Sequence, residues 1–240
     1  MFILFFAGCE RKHPSYGDEE DKHSIKENQK KQFKTLRELM VKKQIKGRGV
    51  KDEAVLSAMR KVPRHLFVPE KVRNYAYEDH PVPIGKGQTI SQPYIVALMT
   101  DLLDLDKNDK VLEVGTGSGY QAAVLAEIAE EVYTIEIVEE LHKKSNETLK
   151  QLGYKNIKTK HGDGYKGWKE NAPYDAIIVT AAPEKIPEAL IEQLKVGGRL
   201  IIPVGPLRRP QKLMLVTKKD KGKVQKKFIT DVIFVPLVKD

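Results

Sequence analysis

Cysteine is almost missing from this 240-residue chain, where Cys9 stands alone. A single thiol excludes an intrachain disulfide and a cysteine metal cluster. The six histidines fall in no HExxH or comparable spacing, so no bound metal is expected. A phosphate-cradling GxxxxGK[ST] loop is absent, and so is the GxSxG elbow that exposes a nucleophilic serine. Long apolar runs are absent as well: no stretch approaches the ~18–20 residues that a membrane span needs. With 31% charged residues and a mean hydropathy of −0.44, the body of the chain reads as soluble. Its 40% hydrophobic content suffices for one large domain with a core of its own.

What the chain has in excess is positive charge, +9, with a pI of about 9.3. A basic surface favours acidic partners, nucleic acid among them. Here the lysines are scattered, many beside Glu or Asp, and residues 218–227 (KKDKGKVQKK) read as a solvated hairpin tip. Nucleic acid is therefore not expected as the substrate. The N-terminus opens on MFILFFAGC and turns abruptly polar. FAGC is similar to a lipobox, in which the cysteine is acylated, although the apolar part is short for a signal and no Lys or Arg precedes it. Two readings stand: a lipoprotein anchored through Cys9 whose start lies upstream, or an incidental apolar end. Residues 10–32 read as a flexible charged linker in both. The expected division is a tail, 1–32, and one domain, 33–240, made of a helical and loop region at 33–90 and a sheet region at 91–240.

Apolar periodicity places Phe33, Leu36, Leu39, Met40 and Val41 on one helical face, ended by the glycines of KGRGV. Asp52 is an N-cap for a second helix that buries Val55, Leu56 and Met59 and stops at Pro63. The Pro-, Tyr- and Gly-rich stretch from RHLFVPE to Gly87 reads as ordered loop. After an apolar helix in YIVALMTDLLDL, strands and helices alternate: KVLEVG, GYQAAVLAEIA, EVYTIEI, VEELHKKSNETLKQLG, IKTKHGD, YDAIIVTAA, PEALIEQL and GGRLIIPVG. KLMLVTKK and KKFITDVIFVPL close the chain as a pair. That rhythm predicts an α/β fold with a doubly wound, mostly parallel sheet covered on both faces.

The turn in VLEVGTGSGYQAAVLA is the most informative stretch. A strand runs into Gly115, Gly117 and Gly119, and a helix starts at once, so backbone N–H groups face an electron-rich ligand group. The spacing is GxGxG rather than the dinucleotide GxGxxG, and the strand ends on an acid, Glu113. A carboxylate there repels a pyrophosphate and attracts a cation. S-adenosylmethionine, with its sulfonium and ammonium groups, suits that placement. Glu136, ending the next strand about 20 residues on, can accept ribose hydroxyls. Asp163, in HGDGYKG, can accept the exocyclic amine of adenine. All three acids fall near the carboxyl ends of successive strands, where open α/β sheets bind ligands.

These blocks carry a resemblance. RKVPRHLFVPE, AYEDHPVPIGKGQTISQPYIVALMTDLL, VLEVGTGSGYQAAVLAEIA, GDGYKGW, PYDAIIVTAA, LKVGGRLIIPVG and VIFVPL are similar to the corresponding segments of the protein-L-isoaspartate O-methyltransferases, from about Leu36 to Leu237. Many methyltransferases share the glycine block; GQTISQP resembles this family in particular. The resemblance implies a Rossmann-like class I S-adenosylmethionine-dependent methyltransferase with added N-terminal helices. It implies methylation of the free α-carboxylate of L-isoaspartyl residues in damaged proteins and peptides, with D-aspartyl residues as a further acceptor to test. Carried over, Ser91 is the active-site serine. Glu113, Gly115, Thr116, Gly117, Ser118, Gly119, Glu136, Asp163 and Gly164 are the cofactor residues. Thr89, Ile90, Gln92, Thr180 and Ala181 line the substrate cleft. The family commonly has Thr where this chain has Val238. A monomer in the cytoplasm, where the cofactor is made, is the expected state.

Ser91 itself has three readings: nucleophile, substrate clamp or helix cap. Methyl transfer to a carboxylate needs neither a general base nor a covalent intermediate, because a carboxyl group with an ordinary pKa near ~4 is already ionised at pH 7. A cap is worth ~1 kcal/mol. A clamp that aligns the carboxylate acts through proximity, an effect of up to ~7–11 kcal/mol. Small Ala181 and Ala182 in VTAAP leave room for a peptide backbone, where amino-methylating enzymes often carry a polar [DN]PP[YF] segment. The rivals are a small-molecule or nucleic-acid methyltransferase, a binding module without turnover, and a hydride-transfer dehydrogenase, the last disfavoured by Glu113 and the glycine spacing.

Overall fold

A computed structural model describes residues 18–206 and 209–239. Cys9 and its apolar surroundings lie outside the described residues. Seven strands form the central sheet: β3 (Lys110–Val114), β4 (Glu131–Glu136), β5 (Ile157–His161), β6 (Tyr174–Val179), β7 (Leu194–Val204), β8 (Gln211–Lys218) and β9 (Val224–Val232). Their spatial order is β5-β4-β3-β6-β7-β8-β9. The five from β5 to β7 are parallel, and β8 and β9 add antiparallel to that edge. The winding reverses at β3, which opens a crevice at the carboxyl ends of β3, β4 and β6.

The strand side chains alternate between two cores. Val111, Val132, Ala176, Ile178 and Ile201 belong to one; Leu112, Val114, Ile135, Ile177, Leu200 and Ile202 belong to the other. Both faces are covered, which is why these strands read as nearly continuous apolar runs. The helices between strands are α4 (Tyr120–Ala126), α5 (Glu139–Gln151) and α6 (Glu188–Gln193). On the first core's side lie α2 (Glu53–Lys61) and α3 (Pro93–Leu103). Asp52 caps α2 as expected, its carboxylate accepting from Ala54 N at 2.7 Å and Val55 N at 3.0 Å.

Three features correct the sequence reading. The charged stretch taken as a flexible linker is helical from Asp18: α1 spans Asp18–Leu39 and runs on as a π-helix, Met40–Ile45. Composition misleads there because Lys, Glu and Gln, which lower hydrophobicity, are also strong helix formers. Leu39, placed on the buried face, is 43% exposed, whereas Met40, Val41 and Ile45 are buried. Leu39 still belongs to the regular α-helix, where ~100° per residue sets it to one side of the stripe of Phe33, Leu36 and Met40; the π turn begins only at Met40. The stretch taken as ordered loop holds two 3₁₀ turns, Arg64–Phe67 and Glu70–Tyr75, and a small hairpin of β1 (Val82–Gly85) with β2 (Gln88–Ile90).

Candidate active site

The crevice holds a cavity walled by the glycine turn after β3, the ends of β4 and β6, the β2–α3 junction and the C-terminal segment. Each wall has a local cause. Gly115 takes φ +98°, and a Cβ there would run into the Thr180 hydroxyl. That hydroxyl lies against both Gly115 O (2.6 Å) and Val114 O (3.1 Å), pinning the end of β6 to the turn. Gly119 takes φ +87° at the start of α4, where a Cβ would sit 3.3 Å from Leu149 Cγ. Its freedom serves close packing against α5, and it does not line the cavity.

Glu113 is fully buried. One carboxylate oxygen accepts from the Thr134 hydroxyl, and the other has no partner although the residue lines the cavity. Thr116 Oγ1 lies 2.6 Å from Thr134 Oγ1. When Glu113 is ionised and takes the Thr134 proton, Thr116 is the donor to Thr134. Burial pushes the Glu113 carboxyl up to about 8; the Thr134 hydrogen bond opposes that shift and nearby Glu136 adds to it. An unpartnered acid of this kind is an acceptor set for a cationic group brought into the cavity. Glu136 accepts from Gly117 N at 2.7 Å through Oε2 and from Val138 N at 2.9 Å through Oε1. Each oxygen keeps a lone pair for a ligand hydroxyl, and the carboxylate also holds the glycine turn in shape.

Asp163 does not line the cavity; its Oδ1 accepts from Tyr165 N at 2.9 Å and shapes the turn that brings Gly164 to the wall. Thr116, Gly117, Ser118, Thr180, Ala181, Thr89, Ile90 and Ser91 all reach that wall. Gln92 faces instead a neighbouring groove of about 600 Å³, and its amide donates to Asp79 Oδ1 at 2.8 Å. Cavity and groove meet at Thr89, Ser91, Thr180 and Val235, which line both. Ser91 is not a cap: α3 has Gln92 at its N-cap position, with no side-chain cap bond.

Sequence reasoning missed three contributions. The VPL segment, read as strand, leaves the sheet after Val232 and crosses the strand ends. Ala182 N donates to Val235 O at 2.8 Å and Leu237 N to Ala182 O at 2.9 Å, so residues 235–238 close the cavity. Its signal was Pro236, which argues against a continuing strand. Gln193 supports the 163–168 turn, accepting from Trp168 N at 2.8 Å and donating to Lys166 O at 2.8 Å. No pattern announces it. Arg64, inside a block quoted for its resemblance, binds the Ser91 carbonyl at 2.7 Å.

Residues 35–240 match the sequence profile described as protein-L-isoaspartate(D-aspartate) O-methyltransferase (PCMT). The chain belongs to that family. A protein-L-isoaspartate O-methyltransferase of Opitutus terrae is 57% identical over 204 residues, 85% of this chain and 87% of the relative. One from Gloeobacter violaceus is 55% identical over 84% of this chain and 98% of its own length. Among solved structures, a protein-L-isoaspartate O-methyltransferase superposes with a TM-score of 0.76 at 32% identity, over 85% of this chain and 65% of that one. A β-aspartate methyltransferase (PCMT) from Plasmodium falciparum, in complex with S-adenosyl-L-homocysteine, gives a TM-score of 0.73 at 31% identity, over 85% of this chain and 99% of that one. The expected Rossmann-like methyltransferase fold is thus the fold of this family. No helix among the described residues is long and apolar enough to cross a membrane. No group of three or more His, Cys, Asp or Glu among them is placed to hold a metal ion.

Proposed function

We propose that the protein methylates the free α-carboxylate of L-isoaspartyl residues in damaged proteins and peptides, with S-adenosylmethionine as donor. The observation that carries this reading is the junction of the cavity and the groove at Ser91 and Thr180. A donor held at the glycine turn and a peptide held in the groove would meet there. Bound S-adenosylmethionine would supply a sulfonium methyl that a carboxylate oxygen can attack in line, forming the methyl ester as the C–S bond breaks and S-adenosylhomocysteine leaves.

The chain's own groups then divide the work. The unpartnered Glu113 oxygen takes the cofactor's ammonium; Glu136 takes the ribose hydroxyls with its spare lone pairs; the Asp163–Gly164 turn borders the adenine. Ser91 donates its hydroxyl to the substrate carboxylate or the adjacent backbone and aligns it. The apolar walls, Ile90, Ala181 and Val235–Leu237, exclude water and so strip the nucleophile of part of its hydration. Thr89 and Gln92 border the peptide; the Thr180 hydroxyl is occupied by the β3 end and offers a lone pair or its methyl. The catalytic unit is 33–240, acting as a monomer in the cytoplasm with no metal; native mass spectrometry of the cellular protein tests the state, and finding Cys9 acylated would move it to a membrane.

The deciding experiment presents labelled S-adenosylmethionine with two peptides differing only in isoaspartyl or aspartyl linkage. Base-labile label on the isoaspartyl peptide alone is the expected result. Label on neither, with cofactor binding intact by calorimetry, would refute the assigned acceptor.

A further inference from the structure

Arg64 is fully buried, yet its contacts are two backbone carbonyls and an aromatic face rather than a carboxylate. Nε donates to Ala76 O at 2.6 Å, Nη2 donates to Ser91 O at 2.7 Å, and Cζ lies 4.9 Å from the Tyr120 ring centroid. Nη1 is buried without a hydrogen-bond partner of normal geometry. Burial draws the guanidinium down to about 10, partly offset by Tyr120 and Tyr77, so it stays charged at neutral pH. Burying a cation with no counter-ion costs free energy that an apolar side chain filling the same space would not.

What the cation does there follows from its partners. Ser91 lies between the end of β2 at Ile90 and the start of α3 at Pro93, outside both ladders. Pro93 has no N–H to offer, and the helix start has no side-chain cap. Tyr120 is the first residue of α4, directly after the glycine turn, and Ala76 ends the 3₁₀ turn leading to the hairpin. The planar guanidinium therefore touches the serine, the hairpin approach and the helix of the cofactor turn at once, with a fork that a lysine cannot reproduce.

We propose that Arg64 is a positioning residue for methyl transfer, tying the Ser91 backbone to the head of the cofactor helix so that the serine hydroxyl meets the substrate carboxylate in register with the donor. The proposal rests on the reading of Ser91 as the group that orients the carboxylate. Its test compares Arg64→Lys, Ser91→Ala and the double variant for kcat and KM on the isoaspartyl peptide and for S-adenosylhomocysteine affinity by calorimetry. Arg64→Lys is expected to lower kcat ~10–100-fold while leaving cofactor affinity within about twofold. In the Ser91→Ala background the same change should cost almost nothing, because both act on one contact. Hydrogen exchange covers the case of a weakened fold: the amides of 88–92 should exchange faster while β3 and β4 keep their protection. Wild-type kcat in Arg64→Lys beside a slow Ser91→Ala would overturn the role of Arg64 alone. Additive losses, cofactor affinity falling in step with kcat, or protection lost throughout the sheet would each reduce it to a structural residue. A fully active Ser91→Ala enzyme would remove the premise and the proposal together.

Discussion

The two sides of the cleft are assembled differently. The proposed donor side comes from adjacent parallel strands, β3 and β4, and the turns that follow them, so Glu113, Thr134 and Glu136 are brought together by sheet register alone: Glu113 lies opposite Thr134. The acceptor side draws on Arg64, 88–92, Thr180 and 233–238, segments that no single ladder holds. One side is built by the regular geometry of the sheet, the other by side chains and short bridges that cross it. A site of the first kind tolerates little change in backbone shape, while the second depends on a few isolated polar contacts.

The sharpest test of that contrast is Gly115→Ala. It forces a Cβ onto a φ of +98° and into the Thr180 hydroxyl, which also pins the end of β6. Cofactor affinity and kcat/KM should both fall, on the order of 100-fold, as calorimetry and initial rates would show. A silent result would mean that the turn is looser than its hydrogen bonds indicate.

Ser91→Ala should strike only the acceptor side. We expect kcat on the isoaspartyl peptide to drop ~10–100-fold, with cofactor affinity unchanged. Loss of cofactor affinity in this variant would break the division between the two sides.

Glu113→Gln probes charge on the donor side, with a smaller and pH-dependent effect. With the carboxyl raised from 4.5 to about 8, a cationic ligand must displace its proton, so wild-type affinity should weaken as pH falls from 8.5 to 6. The limiting slope is ~tenfold per unit for one proton released. The Gln variant should lose that slope and bind less tightly at pH 8.5. For folding without ligand the sign reverses. Between 4.5 and about 8 the folded state holds a proton that the unfolded chain has given up, so stability falls as pH rises through that window and levels above it. Thermal melts of the Gln variant should lack this decline.

Helix, strand and turn types were legible wherever the chain's own periodicity set them. α2 with its Asp52 cap, the apolar strands and the β8–β9 hairpin tip follow from spacing and turn chemistry. The reading failed at Leu39, which helical spacing sets beside rather than on the stripe of Phe33, Leu36 and Met40, and at 18–32, where polar composition resembled a linker. In the candidate site, the positions of the glycine turn, Glu113 and Glu136 at the strand ends were legible, and they line the cavity. Gly119 packs against α5 and Asp163 shapes a turn, roles that spacing alone does not show. Thr134 and Gln193 carry no local mark, and residues 235–238 only Pro236, which ends a strand without saying where the chain goes next.

By itself, then, the amino-acid order determined the doubly wound sheet, the position of the glycine turn and the acids at the strand ends, since each depends on neighbours a few residues away. Only the tertiary structure decided that Glu113 keeps an unpartnered oxygen, that the last segment folds back across Ala182, and that a buried arginine holds the carbonyl of Ser91. Those depend on desolvation and on contacts between residues distant in the chain, and neither quantity exists until the two cores have closed around the sheet.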